Sequence, residues 1–171
     1  EGVHSGDASG IVPSSMRVIR QLLERIEDAA SGKVLIESFH VEIPSQRRAQ
    51  AAVCAETLGE TVATQYPFAG ATQPMHEDLT ELVLNRTWRP TISYTGAGGF
   101  PALQDAGNVL RPFSALKLSF RLPPTADYKI CTAAAKQLIE SNPPSGATVS
   151  FHAEKGANGW NAPPLADWLR D

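Results

Sequence analysis

Residues 115–144 read ALKLSFRLPPTADYKICTAAAKQLIESNPP, and the apolar period changes partway along them. Leu116, Leu118, Phe120 and Leu122 alternate with Lys117, Ser119 and Arg121, the pattern of a strand with one buried face. Beyond Pro123-Pro124 the spacing becomes helical. Thr125 is placed to cap that helix, Asp127 falls in its first turn, and Pro143 and Pro144 end it. A half-buried strand feeding an amphipathic helix requires a sheet covered by helices on one side.

The flanks extend this pattern. Upstream, 89–99 (RPTISYTGAGG) alternates Ile92 and Tyr94 with Thr91, Ser93 and Thr95, a second strand. Downstream, 146–156 (GATVSFHAEKG) alternates Ala147, Val149, Phe151 and Ala153 with Thr148, Ser150 and His152, a third. Residues 13–30 predict a helix striped by Met16, Ile19, Leu22, Leu23, Ile26 and Ala30, with Pro13 in its first turn and Ser31-Gly32 at its end. Residues 33–44 form a short extended piece. Two further helices, over 45–63 and 76–86 around a loop at 65–74, make a helical insertion at about 45–86. The tail, 163–171, opens another amphipathic helix. With one strand before Glu1, the order is that of an α+β fold, the ferredoxin-like βαββαβ two-layer sandwich: an antiparallel sheet with helices on one face. Thr91, Ser93, Thr95, Lys117, Ser119, Arg121, Thr148, Ser150 and His152 would line the helix-free face, which is either solvated or turned toward another domain or a site.

The chain has 171 residues, 42% hydrophobic and 19% charged, with a formal net charge of −3, which suits one soluble domain and gives no basic footprint for nucleic acid. No apolar run approaches a membrane span, and the polar, glycine-rich start is no signal peptide. A cytoplasmic protein is expected. Cys54 and Cys131, in alanine-rich helical stretches, read as buried free thiols, with a disulfide left open. No CxxC or Cys/His spacing supports a metal site.

Read locally, His4 in EGVHSGDASGIVPSS (1–15) is either a solvated terminal histidine or a general acid/base or oxyanion donor. MHEDL at 75–79 begins like HExxH, but Thr80 stands where the second histidine is needed. TGAGGFP at 95–101 follows a strand and meets a proline instead of opening a helix. It is therefore no phosphate loop, although its turn could bring backbone N–H groups to a ligand. Arg121 is either solvated or a fork for a carboxylate. Asn108 and His152 are most simply turn and surface residues.

Taken together, GVHSGDASGIVPSS, NRTWRPTISYTGAGGFP, AGNVLRPFSALKLSFRLPPTAD and GANGWNAPPLADWL resemble the lid, or dimerisation, domain of M20-family zinc metallopeptidases, in the carnosinase-like dipeptidase branch. The resemblance covers almost the whole chain, and 45–85 least. It implies a single lid domain, 1–171, belonging to a larger enzyme and carrying the βαββαβ fold. It implies that His4 reaches the partner subunit's active site and stabilises the oxyanion there. Asn108 would be a second polar contact, and Arg121 would hold the substrate's terminal carboxylate. Gly98 and Gly99 would form a backbone turn near that carboxylate, although the family more commonly has an acidic residue where this chain has Gly98.

The resemblance further implies two zinc ions in a catalytic domain that this chain lacks, no cofactor in the chain itself, a homodimer through this domain, and a dipeptide or N-acyl amino acid substrate. The chain alone would then be inactive. A freestanding ferredoxin-like dimerisation or small-molecule-binding module, or an M20-like scaffold without metal ligands, are the competing readings. An HxD motif upstream and a ligand histidine downstream would favour the peptidase.

Overall fold

The computed structural model describes residues 1–164 together with Ala166 and Trp168. The elements are β1 (Val3–His4), α1 (Ser5–Ala8), α2 (Ser15–Leu23), α3 (Ser45–Leu58), α4 (Thr61–Thr64), α5 (Leu79–Thr87), β2 (Thr91–Gly98), β3 (Val109–Leu110), β4 (Ala115–Arg121) and α6 (Tyr128–Glu140). Short 3₁₀ turns lie at Glu37–Phe39, Leu103–Asp105 and Pro144–Gly146. This is a mixed α+β chain, as the change of period requires.

β2 and β4 pair antiparallel, Thr91 opposite Arg121 at one end and Gly98 opposite Ala115 at the other. The register slips between Tyr94 and Gly96, leaving Thr95 as the extra residue of a bulge. Ile92, Leu118, Phe120 and Leu122 turn inward onto Ile26, Val34, Ile36, Phe39, Ala126, Cys131 and Ala135. Cys131 and Ala135, one helical turn apart, let α6 lie close to this layer. Phe39 meets Phe120 edge to face, with ring centroids 5.4 Å apart. A second cluster, Ile43, Ala51, Leu84 and Trp88, joins α3 to α5, and Val41 touches both clusters.

Several expectations are corrected. The stretch 146–156 forms no strand: the described residues hold two separate two-stranded sheets, β1–β3 and β2–β4. Ala147, Val149 and Phe151 are half-buried and Thr148, Ser150 and His152 exposed, so the alternation survives in burial alone. Side chains of α6 take the backbone groups a ladder would need. Glu140 accepts the Phe151 N–H at 2.7 Å, and the Lys136 ammonium donates to the Phe151 carbonyl at 3.3 Å. The βαββαβ sheet is therefore not assembled within these residues.

The first helix stops at Leu23 instead of Ala30. Arg25 donates to the carbonyls of Leu138, Ser141 and Asn142 at the end of α6. Asp28 accepts from both the backbone and the hydroxyl of Ser31, a local turn that competes with helix. Asp127, not Thr125, caps α6, accepting from the N–H groups of Lys129 and Ile130. Gly59, at φ +52°, closes α3 before Ala63. α5 starts at Leu79 behind its cap Asp78. Both thiols are free, Cys131 buried but Cys54 half-exposed. The helix expected over 163–171 lies in part outside the described residues.

Two outcomes check this packing. Phe39→Ala is expected to destabilise the fold by about 3–5 kcal/mol in denaturant unfolding. Glu140 is held below the ordinary carboxylate value of 4.5, first by Lys136 and then by the Phe151 N–H. A lowered folded-state value gives stability that is complete above 4.5 and is lost as pH falls through the folded value. The Phe151 amide resonance is therefore expected to titrate with a midpoint below 4.5, and Glu140→Gln to abolish that titration.

Candidate functional site

β1 and β3 form a two-residue antiparallel ladder, Val3 opposite Leu110 and His4 opposite Val109. The Ser5 N–H extends it to the Asn108 carbonyl at 2.8 Å. Two candidate residues from distant parts of the sequence thus lie on neighbouring strand ends, His4 opposite Val109 and Asn108 opposite Ser5. Gly2 permits the approach, since a Cβ there would stand 2.5 Å from Val109 Cγ1. His4 caps α1, its Nδ1 accepting the Gly6 N–H at 3.1 Å, and its side chain is 62% exposed. An Nδ1 that accepts leaves the proton of the neutral imidazole on Nε2. His4 thus presents a largely exposed imidazole, with the Asp7 carboxylate 3.9 Å from Nδ1.

Gly98 and Gly99 end β2. Gly99 sits at φ +90°, and a Cβ there would lie 2.4 Å from the Phe113 carbonyl, so only glycine fits this turn. Its own carbonyl accepts from Arg111 Nε at 2.8 Å. Arg111 directly follows β3, so the glycine turn and the His4–Asn108 pair are joined.

Arg121 is at the other end of the β2–β4 ribbon. Six strand steps separate it from Ala115, the partner of Gly98, which is roughly 20 Å at 3.3 Å per residue. One chain therefore does not bring Arg121 and the Gly98–Gly99 turn to a single carboxylate. Arg121 is exposed, and among the described residues its side chain makes no hydrogen bond or ion pair. On the same strand face, Lys117 is held by Glu154 at 2.8 Å.

The remaining histidines do other work. His40 Nε2 meets the Val34 carbonyl at 2.7 Å, and His76 Nδ1 accepts the Asp78 N–H at 2.9 Å, so MHEDL is the lead-in to a helix cap. His152 is exposed. Among the described residues no three His, Cys, Asp or Glu side chains are grouped to hold a metal ion, so these residues do not fit a zinc centre. A groove of about 430 Å³ between α3, α5 and 160–162, lined by Arg47, Cys54, Trp88 and Trp160 among others, lies apart from the candidate residues.

Two contacts escape the sequence reading. Tyr94, paired by alternation with the inward Ile92, is 48% exposed and donates its hydroxyl to the Glu27 carboxylate. Arg111 falls outside both periodic patterns, and its partner is a turn carbonyl, so no spacing marks it.

No family model matches the chain, and no curated protein matches it. Solved structures do. The dipeptidase Dug1p of Saccharomyces cerevisiae is similar at 20% identity and a TM-score of 0.61, over 84% of this chain and 30% of that one. Human carnosine dipeptidase 1 gives 17% identity and a TM-score of 0.65, over 82% and 29%. The M20 family metallo-carboxypeptidase Sso-CP2 of Sulfolobus solfataricus gives 17% and 0.60, over 81% and 36%. The chain thus spans about a third of the length of these structures, and the likeness shows a shared fold. No helix among the described residues is long and apolar enough to cross a membrane.

Gly99→Ala is expected to destabilise the protein by more than about 1 kcal/mol, read from the denaturation midpoint, because its φ and its space both exclude a side chain. Tyr94 is pushed up to about 12, chiefly by burial and then by the Glu27 carboxylate. A raised value gives stability that is complete below 10 and is lost as pH rises toward 12. In an absorbance titration one of the three tyrosines should ionise late, and Tyr94→Phe should remove that late phase.

Proposed function

We propose that this chain is the substrate-binding lid and dimerisation domain of an M20-type zinc hydrolase, a dipeptidase or exopeptidase acting on an amide bond beside a carboxylate. The observation that supports the reading is the fold, which recurs as about a third of two dipeptidases and an M20 carboxypeptidase, with the β1–β3 register putting His4 opposite Val109, the residue after Asn108. In the proposed whole protein, a catalytic domain outside this chain holds the metal. The same reading has one strand before Glu1 contribute to the ferredoxin-like sandwich.

Each residue then has a role set by its own chemistry. His4 Nε2–H donates to the oxyanion of the tetrahedral intermediate, and a donor aimed at developing charge acts mainly on turnover. Asn108 supplies a second polar contact beside it. Arg121, unengaged among the described residues, clamps the substrate carboxylate through its guanidinium fork. A dipeptide spans only about 7 Å, whereas Arg121 and the Gly99 turn lie at opposite ends of the ribbon. This separation favours a homodimer in which His4, Asn108 and the Gly98–Gly99 turn of one copy serve the site occupied by the other copy's arginine.

In the full-length protein, steady-state kinetics on a dipeptide or N-acyl amino acid should separate the two roles. His4→Ala is expected to lower kcat about 100-fold or more. Arg121→Ala should mainly raise KM. A His4→Ala kcat within about twofold of the parent would end the oxyanion assignment. Dipeptide hydrolysis by the 171-residue chain alone would contradict the lid reading.

A further inference from the structure

Among the described residues the β1–β3 ladder pairs two residues on each side. His4 lies in it and Asn108 directly precedes β3, so whatever ties this ladder to the rest of the fold bears on both. Arg111, half-buried and one residue beyond β3, makes that connection twice. Its side chain donates from Nε to the Gly99 carbonyl at 2.8 Å, at the end of β2. Its backbone carbonyl accepts from the Ser15 hydroxyl at 3.2 Å, at the start of α2, and Ser15 Oγ also lies 2.7 Å from Ser114 Oγ, just before β4. The Gly99 end of this clamp is a turn that only glycine fits, at φ +90° and with no room for a Cβ beside the Phe113 carbonyl.

We infer that Arg111 is the positioning residue of the site: it fastens the His4–Asn108 ribbon to the Gly99 turn and so sets where the His4 donor points. The catalytic part of this inference rests on the oxyanion reading of His4, while the clamp itself does not. A planar guanidinium gives Nε–H a fixed direction that a flexible ammonium reproduces only in part. Because a shift of about 1 Å at a reacting group can cost 100-fold in rate, loosening the ribbon should act on turnover without touching the carboxylate clamp at Arg121.

The test compares Arg111→Met, which keeps an unbranched stem without the donor, with Arg111→Lys in the full-length protein. Hydrogen exchange over residues 1–9 reads the ribbon directly, and kinetics read its consequence. Arg111→Met is expected to speed that exchange about tenfold, the loss of one hydrogen bond, and to lower kcat at least about tenfold with KM little changed. Arg111→Lys should recover part of both. In a His4→Ala background, Arg111→Met should lower kcat no further. Unchanged exchange overturns the clamp, and faster exchange with unchanged kcat overturns its catalytic consequence. If His4→Ala is itself silent, the oxyanion reading fails, and the exchange result still decides the clamp.

Discussion

The inner face of β4 must be covered, and the contact that covers it is Phe120 against Phe39. Phe39 sits in a 3₁₀ turn far from β4 in sequence and is fully buried. To bring it there, the chain must turn after α2, bridge back through Glu27 and Val34, and run beneath the sheet. Ile26, Val34 and Ile36 are buried along the way. Once that layer is in place, α6 can approach only with small residues, and Cys131 and Ala135 supply them. Cys131 also donates to the Ser38 carbonyl at 3.2 Å, locking the helix to the turn that carries Phe39. Burial raises this thiol's pKa, as befits a packing residue.

What this core leaves rigid is the β2–β4 ribbon, and the candidate site is distributed along its length. Arg121 is on the ribbon itself, at an end backed by the core through Ile92, Phe120 and Leu122. The other end carries the Gly98–Gly99 turn and, fastened to it, the small β1–β3 ladder. On the proposed reading, the carboxylate clamp would be built into the body of the domain, and His4 and Asn108 would sit on a small ladder tied to it by Arg111.

The periodic elements were legible in the sequence because burial imposes their period. β2, β4 and α6 come out where Ile92, Leu118, Phe120, Cys131 and Ala135 place them. Several of the failures involve side chains that bond backbone groups. Alternation at 147–152 correctly gave the faces of that stretch but not its pairing, because Glu140 and Lys136 occupy the Phe151 N–H and carbonyl. Thr125 and Asp127 are both good caps, and only the turn at Pro123 to Ala126 selects the second. Asp28 and Arg25 cut α2 short through bonds whose partners periodicity does not reveal.

The site was legible in a different sense. Local chemistry left His4 as either a terminal ornament or a donor, and Arg121 as either a solvated or a clamping arginine. The structure adds one local fact to each: the His4 Nδ1 accepts the Gly6 N–H, and the exposed Arg121 side chain has no partner among the described residues, which fits either reading. A two-residue ladder such as β1–β3 has no period to detect, so the neighbourhood of His4 and Asn108 could only come from the fold. Arg121 is separated from the Gly98–Gly99 turn by a ribbon roughly 20 Å long. A small substrate cannot bridge that distance within one copy, so if both ends serve one reaction, the active unit must contain at least two copies of this domain.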